Sequence, residues 1–273
     1  MLSLAVSSMF FHEYPVDEIF SSVEEAGLTG LEFWVETPHF WLRGHPLHEL
    51  KAAVRAHPRL SPLTLHAPAL DLNPCSINPR VAAASQQYAV EAVALAGAVG
   101  ADVVTVHPGR RTARRPPSRY DYAHFRTYLA RLRQASAETG VRVAIENMEP
   151  KVNSLLCTPE GMRETLDAHP WLWFTLDVAH AMTVSGAEVA RYLETCGDRI
   201  ANVHLSMVAE GQRHLPVAGR EEACEVVRAL RDAGYRGPLT LEIEDQVFAH
   251  PLSLEEKVMV LRDEHRYITC CLS

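Results

Sequence analysis

The chain alternates throughout between two patterns. Short apolar or β-branched runs recur eight times: LSLAVSS from Leu2, GLEFWV from Gly30, LTLHAP from Leu63, VVTVHPG from Val103, RVAIEN from Arg142, WFTLDVAH from Trp173, IANVHLS from Ile200 and LTLEIE from Leu239. Runs this short and this apolar read as strands buried on both faces. Longer stretches of helical character separate them. VDEIFSSVEEAG puts Val16, Ile19, Phe20 and Val23 at helical spacing and stops at Gly27. The stretch 79–97 is alanine-rich and opens on Pro79, a residue suited to a first helical turn. Further helices are predicted over 120–139, 158–168, 186–196, 220–233 and 254–267, with Thr158 as an N-cap.

Strands alternating with helices imply a parallel sheet with helical crossovers. A doubly wound sheet would want a glycine-rich turn after its first strand, and Ser7-Ser8-Met9-Phe10 is not one. Eight units in 273 residues fit a closed barrel. The expected fold is α/β, a single (β/α)8 barrel domain over 1–273, without a linker or low-complexity tract.

Composition narrows the setting. No apolar run reaches the roughly 18 residues of a membrane span. The N-terminus MLSLAVSSMFF lacks a basic segment and a cleavage site, and reads as a first strand rather than a signal peptide. A cytoplasmic protein is expected. With 26 basic and 34 acidic residues the net charge is −8, which offers no general attraction to nucleic acid or membrane. The six cysteines form no CxxC pair, and no role is assigned to them.

The chemistry gathers where barrel active sites form, at the C-terminal strand ends. His66, His107, Glu146, Asp177 with His180, His204, and Glu242 with Glu244 fall near the ends of six consecutive predicted strands. One strand-end carboxylate is ordinarily a helix cap or an ion-pair partner. Several brought into one place repel unless a cation or bound protons compensate. The set Glu146, Asp177, His204 and Glu242 therefore reads as a divalent-metal site for Mn2+, Mg2+ or Zn2+. Glu32, inside the second strand, is either another site carboxylate or a buried, paired one.

The pieces LHAP (from Leu65), VHPG (from Val106), IEN (from Ile145), LDVAH (from Leu176), VHLS (from Val203) and LEIE (from Leu241) resemble, in order and across nearly the whole chain, the xylose isomerase-like TIM barrel superfamily. That superfamily includes sugar isomerases and epimerases and endonuclease IV. Similarity to the ketose 3-epimerases implies one ion held by Glu146, Asp177, His204 and Glu242. It implies Glu146 and Glu242 as the catalytic pair that removes and returns a proton through an enediolate. His180 and, by a looser match, Arg213 would orient substrate oxygens. Similarity to endonuclease IV implies instead a three-zinc phosphodiesterase acting on abasic DNA. That site would add His66, His107, His180 and His214, but Gln212 stands where it would carry an aspartate. His66 and His107 are otherwise substrate-binding or supporting residues.

The expected activity is a metal-dependent isomerase or epimerase of a small sugar, sugar phosphate or polyol. The alternatives are the DNA phosphodiesterase and a binding protein with a structural metal. Homo-oligomerisation is compatible with the sequence. The arginine-rich loop from Arg110 to Arg119 is expected over the site mouth, gripping phosphates or pairing with acidic neighbours. Phe33, Trp34, Phe40 and Trp41, with Phe10 and Phe11, are expected at the rim, as a sugar platform, a lid or a dimer contact.

Overall fold

The computed structural model describes residues 2–273. Eight parallel strands close into a barrel: β1 (Ser3–Ser7), β2 (Gly30–Trp34), β3 (Leu63–His66), β4 (Val103–Val106), β5 (Arg142–Glu146), β6 (Trp173–Asp177), β7 (Ile200–Leu205) and β10 (Pro238–Leu241). β10 pairs with both β1 and β7, which closes the ring. The intervening helices are α1 (Val16–Glu25), α2 (Pro38–Trp41), α3 (Leu47–Ala56), α4 (Pro79–Val99), α5 (Arg119–Thr139), α6 (Pro159–Ala168), α7 (Val178–Met182), α8 (Gly186–Cys196), α9 (Glu221–Asp232) and α10 (Leu254–Leu272). The expected (β/α)8 architecture is the observed one. No helix among the described residues is long and apolar enough to cross a membrane.

Three departures matter. α2 and α3 occupy the stretch after β2, where no helix is predicted, and carry His39 and His48. A two-stranded antiparallel hairpin, β8 (Met207–Ala209) and β9 (Gln212–Leu215), follows β7 outside the barrel. Its strands are too short to show a period in the sequence. Cys224 of α9 and Cys271 of α10 form a disulfide that ties the last two helices together.

Strand periodicity divides the strand residues into two sets. Leu31, Phe33, Leu65, Val104, Ile145, Phe174, Val203 and Leu241 belong to the large apolar core. The alternate positions face the barrel axis in layers. Val103, Ala144 and Ala201 form a separate small apolar cluster at the bottom. Above it lies a polar layer of Glu32, Thr64, Thr105, Thr175, Asn202 and Thr240, all essentially inaccessible to solvent. Hydrogen bonds join it: Thr105 Oγ1 lies 3.0 Å from Thr175 Oγ1, and Thr240 Oγ1 donates to Asn202 Oδ1 at 2.9 Å. Two residues further on, these strands deliver His66, His107, Asp177, His204 and Glu242, and β5 adds Glu146, two residues beyond Ala144. The layering thus places every strand-end candidate on one rim.

The aromatics expected at that rim mostly go elsewhere. Phe10, Phe11, Phe33 and Phe40 are fully buried in the core, with Phe33 edge-on to Phe40 at 5.1 Å. Trp41 packs on Tyr88. Only Trp34 approaches the site, its ring 6.4 Å from that of His66. Its inward position, one residue after outward Phe33, accounts for the difference.

Truncating a fully buried aromatic removes its transfer energy and leaves a cavity. Phe33→Ala is expected to cost about 3–5 kcal/mol. The check is the urea midpoint of unfolding, which should fall well below that of Phe33→Leu.

Candidate metal centre

Each candidate side chain is aimed by a local device. Glu146 and Asp177 are the last residues of β5 and β6. Asp177 also caps α7, since its Oδ1 accepts from the His180 N–H at 2.6 Å. This leaves Oδ2 for the interior. Asn147 clamps the two strand ends: its amide donates to the Asp177 carbonyl (2.9 Å) and its Oδ1 accepts from the Asp177 N–H (2.7 Å). Glu242 follows β10 directly. His214 is carried by β9 in the hairpin.

His204 Nδ1 is the centre of the arrangement. It lies 3.3 Å from Glu242 Oε2, 3.8 Å from Glu146 Oε2 and 3.9 Å from Asp177 Oδ2. All four of these atoms are buried and have no hydrogen-bond partner. Carbonyl oxygens fix two neighbouring rings. His66 Nδ1 donates to the Ala67 carbonyl at 2.8 Å, which turns its Nε2 toward Glu146 Oε2 at 3.4 Å. His180 Nδ1 donates to the Asn147 carbonyl at 2.9 Å and lies 3.2 Å from Glu146 Oε1. His107 Nε2 is 3.2 Å from Glu146 Oε2. Lone pairs facing lone pairs in a dry site need a proton or a cation between them.

The ionisation of these groups reflects that need. Burial pushes the Glu146 carboxyl up, but His107, His180 and His66 outweigh it and hold the group well below the ordinary carboxylate range. Burial lifts Asp177 to about 6, against the pull of His180 and with a further push from Glu242. Burial opposes protonation of His180, yet Asp177, Glu146 and Glu242 raise it to about 10. His204 is likewise raised well above its usual value, because Glu242 and Glu32 outweigh burial. Protonated histidines thus supply the positive charge that the carboxylates demand.

The residues present fit a divalent ion. Orphaned carboxylate oxygens and one imidazole nitrogen converge, and the donor set of three carboxylates and a histidine suits Mn2+, Mg2+ or Zn2+. Glu146, Asp177 and His204 place one donor atom each within 4.8 Å of one another. Three further triads meet the same measure: His66, His107 and Glu146; Asp177, His180 and His214; and Glu32, His204 and Glu242. The first two share Glu146 and Asp177 with the central group.

Arg213, expected to orient substrate, and Gln212, where a third zinc would want an aspartate, lie in different settings. Arg213 is held by Glu149, Nη1 to Oε1 at 2.6 Å, and Glu149 also pairs with Lys151. Gln212 is exposed and reaches no candidate residue. The sequence offered no sign of Glu149 as the partner of Arg213, or of Ser206, whose Oγ sits 3.3 Å from His214 Nδ1. Both partnerships depend on the hairpin.

The arginine-rich loop is pinned beside the site at Arg111, while Arg110, Arg114, Arg115 and Arg119 are exposed. Arg111 N donates to the Asn153 carbonyl and Asn153 Nδ2 donates to the Arg111 carbonyl, both at 2.9 Å. Gly109 makes the entry possible. Its φ is +84°, and a Cβ there would stand 2.9 Å from Asn73 Oδ1. Arg110 and His107 together line a cavity of about 120 Å³. Among the described residues, none of Arg110, Arg111, Arg114, Arg115 and Arg119 forms an ion pair with an acidic side chain. The expected acidic pairing is therefore not observed.

The fold and this rim define a (β/α)8 barrel with a convergent histidine–carboxylate site. The chain belongs to the xylose isomerase-like TIM barrel family, whose profile matches residues 20–264. It is 32% identical over 261 residues to protein MJ1188 of Methanocaldococcus jannaschii, covering 94% of this chain and 95% of that one. It is 21% identical over 247 residues to fructoselysine 3-epimerase of Shigella flexneri, covering 87% and 88%. Among solved structures, the apo form of 3-keto-D-glucoside 4-epimerase YcjR from E. coli superposes with a TM-score of 0.79 at 19% identity, covering 99% of this chain and all (100%) of that one.

An ion entering beside His204 must displace the proton that the surrounding carboxylates hold there. Metal binding is therefore expected to release protons, and affinity to fall as pH is lowered. Calorimetry with Mn2+ or Zn2+ in buffers of different ionisation enthalpy reads the proton count directly. A heat independent of the buffer would contradict it.

Proposed function

We propose that this chain is a metal-dependent epimerase or isomerase of a small sugar or related polyol. The observation that carries the reading is the convergence of Glu146, Asp177 and Glu242 oxygens on His204 Nδ1 in a buried, unsatisfied cluster. Likeness to fructoselysine 3-epimerase along 88% of that protein's length supports sugar chemistry. The sugar 4-epimerase with the same fold is consistent with it.

Glu146, Asp177, His204 and Glu242 would hold the ion. When bound, the ion supplies a Lewis acid that polarises a substrate carbonyl and acidifies the neighbouring C–H. Glu146 and Glu242 are the two bases available to that carbon. Both are kept ionised by the histidines around them, so either can accept a proton. One removes the proton and the other returns it, and which face each serves sets the stereochemical outcome. His180, held by the Asn147 carbonyl, and Arg213, held by Glu149, are placed to orient substrate hydroxyls. The buried rim keeps water from competing for the carbanionic carbon.

A second reading rests on the two outer triads, His66–His107–Glu146 and Asp177–His180–His214. Filled with zinc, they would suit phosphodiester hydrolysis on abasic DNA. Gln212 weighs against it, being an exposed neutral amide where a third zinc would need a carboxylate.

Turnover of a ketose panel in D2O tests the proposal. Deuterium is expected at the epimerised carbon, and Glu146→Gln and Glu242→Gln should each lower the rate by about 10²–10⁴-fold. Full activity in either variant would refute its assignment. Metal analysis separates the readings. One Mn2+- or Mg2+-like ion per chain supports the first. Two or three zinc ions, with cleavage of an abasic duplex and no sugar turned over, would replace it.

A further inference from the structure

Glu32 is the only carboxylate in the polar layer beneath the rim, and it is completely buried. Four donors surround it, and a Glu242 carboxylate oxygen lies within 4.8 Å. Asn202 Nδ2 donates to Oε2 at 2.7 Å, and the Thr64 and Thr105 hydroxyls each donate to the same oxygen at 3.4 Å. His204 Nε2 stands 3.0 Å from Oε1 and 3.2 Å from Oε2. The opposite nitrogen of that ring, Nδ1, is the atom on which the three rim carboxylates converge. A histidine can present a lone pair at one nitrogen only while the other carries the proton.

We infer that Glu32 is a positioning residue which accepts the Nε2–H of His204 and so fixes the tautomer and ring plane that direct Nδ1 at the ion. This rests on the proposed reading of His204 as a ligand. Asn202, Thr64 and Thr105 hold the carboxylate from below. Thr240 in turn holds Asn202, through the Oγ1 hydrogen bond to its amide oxygen. The polar layer is thus one continuous support, running from β10 through Asn202 to Glu32 on β2. Glu32 faces His204 across the barrel interior rather than along a strand, so the pair also links parts of the chain 172 residues apart.

Geometry dictates what a near-isosteric change would do. In Glu32→Gln the amide oxygen must face the Asn202 Nδ2–H, because an amide NH2 there would oppose another NH2. The new amide nitrogen then falls at the Oε1 position, 3.0 Å from His204 Nε2, where its N–H groups oppose the Nε2–H. The substitution thus removes the carboxylate charge and disfavours the proton on Nε2, and with it the free lone pair on Nδ1, while nearly preserving volume.

The test uses the full chain, zinc as probe, and two readouts. Competition against a chromophoric chelator is expected to show Zn2+ affinity about 10–100-fold weaker in Glu32→Gln. In ¹⁵N-histidine-labelled, Zn2+-loaded protein, long-range ¹H–¹⁵N spectra should place the His204 proton on Nε2 in the wild type. In Glu32→Gln, at saturating Zn2+, the same spectra should show loss of the Nδ1 coordination shift. Loosened packing alone would not move the proton between nitrogens, so the spectra separate positioning from general damage. Glu32→Asp keeps the acceptor and should restore the wild-type tautomer with part of the affinity. His204→Ala is the control for the underlying reading. If it binds zinc like the wild type, His204 is not a ligand and both ideas fall. If it loses zinc while Glu32→Gln retains wild-type affinity and spectrum, the role given to Glu32 alone is overturned.

Discussion

Buried negative charge is the constraint around which this barrel is organised. Glu146, Asp177 and Glu242 each bring an oxygen within 3.9 Å of His204 Nδ1, and Glu32 faces the other nitrogen of the same ring. Two like charges about 4 Å apart repel by about 4 kcal/mol even at an effective dielectric of 20. Nothing but positive charge offsets several such pairs in a dry space. The histidines answer in part: His180 is raised to about 10 and His204 well above its usual value, both against the opposing effect of burial. Yet Glu146 Oε2, Asp177 Oδ2 and Glu242 Oε2 remain without a donor. Such a set of oxygens, left unsatisfied by the rings, has the chemistry to fit a denser charge.

The rest of the structure keeps these groups from relaxing apart. The outward strand positions lock the ring into the apolar core, while the inward ones stack three levels of different chemistry. An apolar bottom excludes water, hydrogen bonds join a middle layer of threonines, Asn202 and Glu32 while leaving Glu32 Oε1 unpartnered, and the rim takes what remains. The same period of two that buries Phe33 and Ile145 therefore sends Glu32 and Glu146 to the axis. The β6–β7 register shifts between Phe174 and Thr175, and this irregularity lets Thr175 pair with Asn202 and Asp177 with His204.

Much of this was legible in the sequence. Eight apolar runs alternating with helical stretches define the barrel, and the polar residues ending six of those runs define the rim. What escaped notice had physical causes. Thr64, Thr105, Thr175 and Thr240 look like ordinary strand formers, since threonine favours β structure whichever face it occupies. The layer that supports the site was thus hidden in plain strand composition. The β8–β9 hairpin is too short for periodicity, so the placement of Arg213 against Glu149 and of His214 beside Glu242 could not be foreseen. Nearness in sequence predicts the phenylalanines at the rim, but a shift of one residue along a strand reverses the face. For Glu32 the sequence is compatible with both site and core. Glu32 occupies the layer between them, paired but within reach of a rim histidine.

Electrostatics also bears on how many ions such a rim would hold. The outer triads are not independent of the central group, because His66 and His107 share Glu146 with it, and His180 and His214 share Asp177. A first divalent ion would settle where three carboxylates meet and neutralise most of their charge. A second or third would then find histidines, together with carboxylates already committed. To favour further ions the rim would need a carboxylate of its own at the outer positions. Gln212, at the start of β9, cannot supply one, and it points to solvent. On the proposed reading, this charge distribution would favour a single central ion and leave the outer histidines to meet the hydroxyls of a substrate.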